Sequence, residues 1–140
     1  MDLCEENYRY LLKLAPELRR LEGQFLSRVD NGMDLYLEVQ EQTPYTTLIH
    51  LTYYFNHSEG QHPDPDIRLR VYHDSAQAEV LDLHQSVLQL DWDPHNPLLE
   101  QKWKANLFLS KWLVYCIHQG HSFDSGSTLQ NVRPLAAKAS

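Results

Sequence analysis

Along Leu107 to Ile117 only Ser110 and Lys111 interrupt an apolar run, and Lys104, Lys111 and His118 recur every seven residues. On a 3.6-residue helix those three polar groups share one narrow strip, so the pattern predicts a long helix covered on most of its sides. Asn96 suits an N-cap, Pro97 the first helical position and Gly120 a C-cap, which sets the helix at Pro97 to Gln119. At the other end of the chain, Asp2 and Glu5 have capping-box spacing, and Cys4, Tyr8, Leu11, Leu12 and Ala15 fall on one face. A first helix over Asp2 to Leu14 follows, and Pro16 ends it or begins a short second one reaching Leu21.

Between the helices the period changes to two. Leu35, Leu37 and Val39 alternate with Tyr36, Glu38 and Gln40, preceded by the hairpin-favouring Asn31-Gly32. After a turn at Thr43-Pro44, the stretch Tyr45 to Phe55 puts Tyr45, Thr47, Ile49, Leu51, Tyr53 and Phe55 on one side. The polar run Asn56 to Asp66, with two prolines, predicts an exposed loop. Ile67, Leu69 and Val71 then point one way and Arg68, Arg70 and Tyr72 the other; Asp74-Ser75 reads as a turn. Ala78 to Val80 opens a further strand, and Val87 to Trp92 reads as one more.

Short links of this kind imply an antiparallel meander, because parallel pairing needs long crossovers. The fold class is therefore α+β: an N-terminal helix, an antiparallel meander sheet of four to six strands, and a long apolar C-terminal helix packed on the sheet. Residues 1–121 form one domain, and the Ser-, Gly- and Ala-rich residues 122–140 read as a disordered tail.

Charge narrows the possible partners. The 140 residues carry 19 acidic and 12 basic side chains, a formal charge of -7. That balance argues against nucleic acid, whose non-specific binding needs a basic surface. Cys4 and Cys116 have no CxxC partner and read as reduced, packed thiols. The chain starts acidic, lacks the apolar core of a signal peptide, and has no apolar stretch near the roughly 18 residues of a membrane span. A cytoplasmic protein that does not engage membranes is expected.

The candidate chemistry is sparse. His57, His62, Asp64 and Asp66 crowd the polar stretch, but their spacing matches no established metal site, so no metal and no other cofactor is expected. His73 and Asp74 are adjacent, and adjacent strand residues face opposite ways, which weakens an acid–base pairing. With no GxSxG, P-loop or GxGxxG pattern either, the sequence points away from an enzyme. Arg68 and Arg70 share one strand face with Tyr72 beside them, and with His73 and Asp74 they form the candidate ligand-binding set. Two guanidiniums and a ring suit a small anion such as a nucleotide or cyclic nucleotide. Tyrosines on both sides of the sheet, Tyr36, Tyr54 and Tyr72 against Tyr45 and Tyr53, leave apolar surface for a protein partner, self-association included.

Several separated blocks resemble a known family. Leu3-Cys4-Glu5-Glu6-Asn7-Tyr8, Tyr45-Thr46-Thr47-Leu48, Arg68 to Asp74 with Ala78-Glu79-Val80, and Asn106 to Leu109 with Trp112 to Cys116 are similar, in order, to the YqiB-like family of proteobacterial proteins. The resemblance spans Leu3 to Gly120 and implies a bacterial cytosolic protein from a family without assigned chemistry. Genes of that family often lie beside those for a cyclic-AMP phosphodiesterase and an ADP-ribose pyrophosphatase, which is what points to nucleotides. The leading expectation is a non-catalytic protein-interaction or regulatory module; the alternative is a binder of a small anionic ligand through the Arg68/Arg70 face.

Overall fold

The computed structural model describes residues 2–30, 32–57, 60–85 and 99–124, and of residues 55–57 and 60–62 the backbone alone. Helix α1 spans Leu3–Leu14, capped by the Asp2 carboxylate, which accepts the Cys4 N–H at 3.0 Å. A 3-10 turn at Leu18–Arg20 follows Pro16. Among the described residues five strands come next: β1 Gly23–Ser27, β2 Asp34–Gln42, β3 Thr46–His57, β4 Gly60–Tyr72 and β5 Gln77–His84. They pair antiparallel in the order β1-β2-β3-β4-β5, the meander that the short turns imply. Helix α2, Leu99–His118, completes the α+β fold. None of the helices described is long and apolar enough to cross a membrane.

The expected loop at Asn56 to Asp66 is a correction. Strands β3 and β4 continue through much of it, pairing Tyr54 with Pro63 and Asn56 with Gln61. The register shifts between Thr52 and Tyr54, so Asp64 and Pro65 together stand opposite Tyr53. A bulge of this kind interrupts the ladder and tolerates a residue without an N–H, which is how proline fits inside a strand. The strand expected at Val87 to Trp92 and the helix start at Asn96-Pro97 lie outside the described residues, as does the tail from residue 125 onward.

Strand alternation sorts the sheet into two faces. Phe25, Leu37, Leu51, Ile67 and Leu83 form one cross-strand row, all buried, and Leu69 and Val71 with Ile49 extend that face. α1 and α2 pack on it: Leu11, Leu14, Leu109, Leu113 and Cys116 join the same core. Trp112, Leu109 and Cys116 are buried as the apolar run predicts.

Asn106, a polar residue buried inside α2, ties this layer together. Its side-chain carbonyl accepts the Val80 N–H of edge strand β5 at 3.1 Å, and its amide donates to the Lys102 carbonyl at 2.9 Å. Its own backbone carbonyl accepts from the Asn7 side chain of α1 at 3.2 Å.

α2 ends in a Schellman turn. The Gly120 N–H bonds the Ile117 carbonyl, the His121 N–H bonds the Cys116 carbonyl, and Gly120 takes a φ of 94° that only glycine adopts readily. The turn directs the chain back across the domain, so packed structure continues past the boundary expected at His121. The Phe123 N–H bonds the Leu14 carbonyl at 2.7 Å, and its ring is 1% exposed.

Phe123 is therefore a core residue attached to the end of α2. Phe123→Ala is expected to cost about 3–5 kcal/mol in urea unfolding, the range for emptying a buried aromatic site. Tyr45→Ala, at a ring 64% exposed, should stay within about 0.5 kcal/mol of wild type. Equal losses in the two variants would contradict the packing described.

Candidate functional site

The second sheet face lies opposite both helices, and cross-strand register lines its side chains into rows. One row runs Gln24, Glu38, His50, Arg68 and Asp82; the next runs Leu26, Tyr36, Thr52, Asp66 and His84. A third sets Glu41, Leu48, Arg70 and Glu79 side by side.

At the centre, His50 is held between two carboxylates. Its Nε2 hydrogen-bonds Asp66, and its Nδ1 lies 4.0 Å from Glu38. The Thr52 hydroxyl donates to Asp66 at 2.9 Å. Partial burial works against a charged Asp66. The bond and charge of His50, the Thr52 hydroxyl and nearby His84 outweigh it, and the carboxyl is held below its usual range. Gln24 donates to Glu38 at 3.1 Å, and Gln40 does so at 3.3 Å. Tyr36 and Tyr54 meet edge-on beside this cluster with Leu26. Burial, then Glu38 and Tyr54, push the Tyr36 phenol up to about 12, so its ring stays neutral.

Of the five residues singled out from the sequence, Arg68, Arg70 and Tyr72 lie on this face. The Arg68 Nε donates to Gln40 at 3.3 Å, the Tyr72 hydroxyl donates to Glu79 at 2.7 Å, and both arginines are exposed. Asp82 and Glu79 stand opposite them on β5. His73 is on the other side of the sheet, buried beneath α1. Asp74 is exposed in the turn, where its carboxylate accepts the Ser75 N–H at 3.0 Å. The five therefore do not converge on one point.

His73 belongs to a directional hydrogen-bond chain. The Thr47 hydroxyl donates to Gln42 at 2.5 Å, so toward His73, 2.7 Å away, it accepts. That assigns the proton to Nε2 and leaves Nδ1 to accept from the Tyr8 hydroxyl at 3.2 Å. Gln42 in turn donates to the carbonyls of Leu18 and Leu21 at 2.9 and 3.1 Å. Neutral His73 satisfies every member of the chain. A second buried imidazole, His121, contacts the Ser27 hydroxyl at 2.8 Å through Nδ1. Cys116 is buried, its thiol donating to the Tyr53 hydroxyl at 3.4 Å; burial pushes it up to about 12, so it stays protonated and inert. Both cysteines are unbridged.

For the histidine–acid stretch, Asp66 is engaged by His50 and Thr52, and the side chains of His57 and His62 lie outside the description. Among the described residues no group of three His, Cys, Asp or Glu side chains is arranged to hold a metal ion.

Sequence reasoning missed the His50–Asp66 pair, the Tyr8–His73–Thr47–Gln42 chain and Asn106. The first was within reach: His50 has the parity of Arg68 once the two strands are aligned as a hairpin. The other two depend on which helix residues meet the sheet, which no local pattern carries.

These features define a two-layer α+β domain with helices on one sheet face and a polar, tyrosine-edged second face. The chain belongs to the family described as "Protein of unknown function (DUF1249)", whose model matches residues 10–122. It is 32% identical over 130 residues to the "Uncharacterized protein YqiB" of Escherichia coli K12, covering 86% of this chain and 87% of that protein. The protein of the same description from E. coli O6:H1 matches equally. No solved structure matches.

The two buried imidazoles make a pH prediction. Burial lowers the proton affinity of His73, helped by the Arg19 charge and opposed by Asp74. Burial also lowers that of His121, opposed by Asp34 and the carbonyls of Met33 and Ser27. Unfolded imidazoles titrate at about 6.5, so below that the unfolded chain binds more protons than the native one. Stability should be full above that value and fall as pH drops toward the depressed native values. The lowered Asp66 adds a loss of the same sign further down, as pH passes its native value. Thermal melts from pH 7 to pH 5 should show a steeper decline for wild type than for His73→Gln combined with His121→Asn. Equal slopes would place the acid sensitivity elsewhere.

Proposed function

We propose that this domain is a non-catalytic protein-interaction module, and that its polar sheet face is the surface a partner meets. The observation that supports this reading is the distribution of the layers. Both helices pack on the row containing Phe25, Leu37, Leu51, Ile67 and Leu83, and among the described residues no helix packs on the face of Glu38, His50 and Arg68. One-sided sheets of this kind present a broad, rigid, pre-formed platform, the geometry that protein recognition uses with little rearrangement. The platform carries charged groups set in rows with the half-buried Tyr54 and Tyr72, a mixture of rings and hydrogen-bonding groups common at interfaces.

The separation of His73 and Asp74 from the arginines also favours recognition over chemistry. A reacting atom needs an acid and a base within reach of it at once. An anion bound at Arg68 and Arg70 meets two arginines whose neighbours on β5 are carboxylates, which makes that second reading the weaker one.

Affinity capture from a bacterial lysate, beside a thermal-shift screen with a nucleotide panel, tests the reading. A partner retained by wild type should be lost by His50→Ala/Arg68→Ala/Tyr72→Ala, with that variant's melting temperature within a few degrees of wild type. Nucleotides should leave the melting temperature at baseline. A reproducible nucleotide-induced rise, abolished by Arg68→Lys/Arg70→Lys, would replace this reading with the anion binder.

A further inference from the structure

The polar face is not electrically balanced. Among the described residues Asp34, Glu38, Glu41, Asp66, Glu79 and Asp82 lie on it, against the guanidiniums of Arg68 and Arg70, Arg28 beside Asp34, and the imidazoles of His50 and His84. The arginines sit along β4 across from Asp82 and Glu79, so the guanidiniums of the central strands are confined to one line of the face. Glu38 and Glu41 on β2 and Asp66 on β4 form an acidic flank, in which the single His50 imidazole bridges Glu38 and Asp66 and carries at most one positive charge against three carboxylates. The same flank carries the half-buried Tyr54 ring, packed edge-on against the buried Tyr36, and half-buried Tyr72 lies along the β4 side.

Neutral phenol rings beside carboxylates are what a long cationic side chain uses. Its methylene stem packs on the ring, its charge lies against the ring face, and its head reaches a carboxylate. An acidic face disfavours a phosphate-bearing partner for the same electrostatic reason that it favours a basic one.

Building on the interaction-module reading, we infer that the partner presents a lysine- and arginine-rich segment, laid across β2 to β5 over Glu38, Asp66 and Asp82. The four strands β2 to β5, spaced by about 4.8 Å, make a platform about 14 Å across, which an extended segment of about five residues crosses and one of about eight covers with both ends extending beyond it. A second copy of this chain fits less well, because its own face would bring carboxylates against carboxylates.

The test uses the full chain and a fluorescein-labelled peptide of about eight residues alternating lysine and alanine, followed by anisotropy. A matched peptide alternating glutamate and alanine is the opposite-charge probe. Two variants remove the same charge from different places. Glu38→Gln/Asp82→Asn removes two carboxylates from the face, and Glu5→Gln/Glu17→Gln removes two from exposed residues of the helical side. Circular dichroism melts establish that both fold.

The lysine peptide should bind wild type, weaken about tenfold with the face variant and change less than about twofold with the helical-side variant. Its affinity should fall on raising salt from about 50 to about 200 mM, and the glutamate peptide should not bind. Equal weakening by the two variants means attraction to net charge alone and overturns the inference, as does binding of the glutamate peptide. Failure here is distinct from failure of the module itself. A captured partner lost by the His50/Arg68/Tyr72 variant, with the lysine peptide indifferent to Glu38 and Asp82, removes only the basic-segment claim. Capture unaffected by that variant removes the face as the interaction surface.

Discussion

The carboxamide of Asn106 is the contact on which the layered arrangement depends. An edge strand presents N–H groups that pair with nothing in its own sheet, and among the described residues β5 is such an edge. The Asn106 side-chain oxygen takes the outward Val80 N–H, and its backbone carbonyl takes the Asn7 amide from α1. Two helices and a strand distant in sequence are thereby fixed at one place by groups that water cannot reach. Leaving any of these groups unpaired in the core costs about 1–3 kcal/mol, more than a typical hydrogen bond contributes in net. The polar residue inside the most apolar helix is therefore a positional lock: apolar packing alone tolerates sliding, whereas these bonds accept one register.

Fixing both helices on one side of the sheet has a consequence for function. Period-two alternation assigns each strand residue to one of two faces, and the bulges at Gln40, at Asp64–Pro65 and at Leu81 shift that assignment without mixing it. Apolar residues go beneath the helices. His50, Asp66, Arg68 and their neighbours go to the other face, anchored by a twisted sheet that holds their spacing within a fraction of a strand separation. A surface of this stiffness costs little conformational entropy when something binds to it. The buried His73 chain has a different role, joining α1 to β3, β2 and the 3-10 turn through bonds that neutral imidazole satisfies completely.

How much of this the sequence carried depends on the range of the interaction. Helix α1 was legible from Asp2 and the Leu11/Ala15 face, and α2 from the Leu107 to Ile117 run, because caps and periodicity are local. The faces of β2, β3 and β4 were legible from Leu35/Leu37, Ile49/Leu51 and Leu69/Val71 for the same reason. Pro63 and Pro65 misled, since proline reads as a strand breaker and only the pairing with Tyr54 and the bulge opposite Tyr53 make room for it. Phe123 was hidden in a stretch of tail-like composition; the Schellman turn at Gly120 is what returns it to the core. Arg68, Arg70 and Tyr72 were placed together by parity. His73 was grouped with them by adjacency in sequence, whereas parity sends it beneath α1, to Tyr8 and Thr47.

Native-state hydrogen exchange at the Val80 amide tests the central lock most directly. Held by Asn106 inside the helix–sheet layer, that N–H should be in the slowest-exchanging class of the protein, opening only when the whole domain unfolds. Its rate should track denaturant with the slope of global unfolding. Exchange at the rate of an open edge amide, insensitive to denaturant, would mean that Asn106 does not hold β5 and that the account of the layer is wrong.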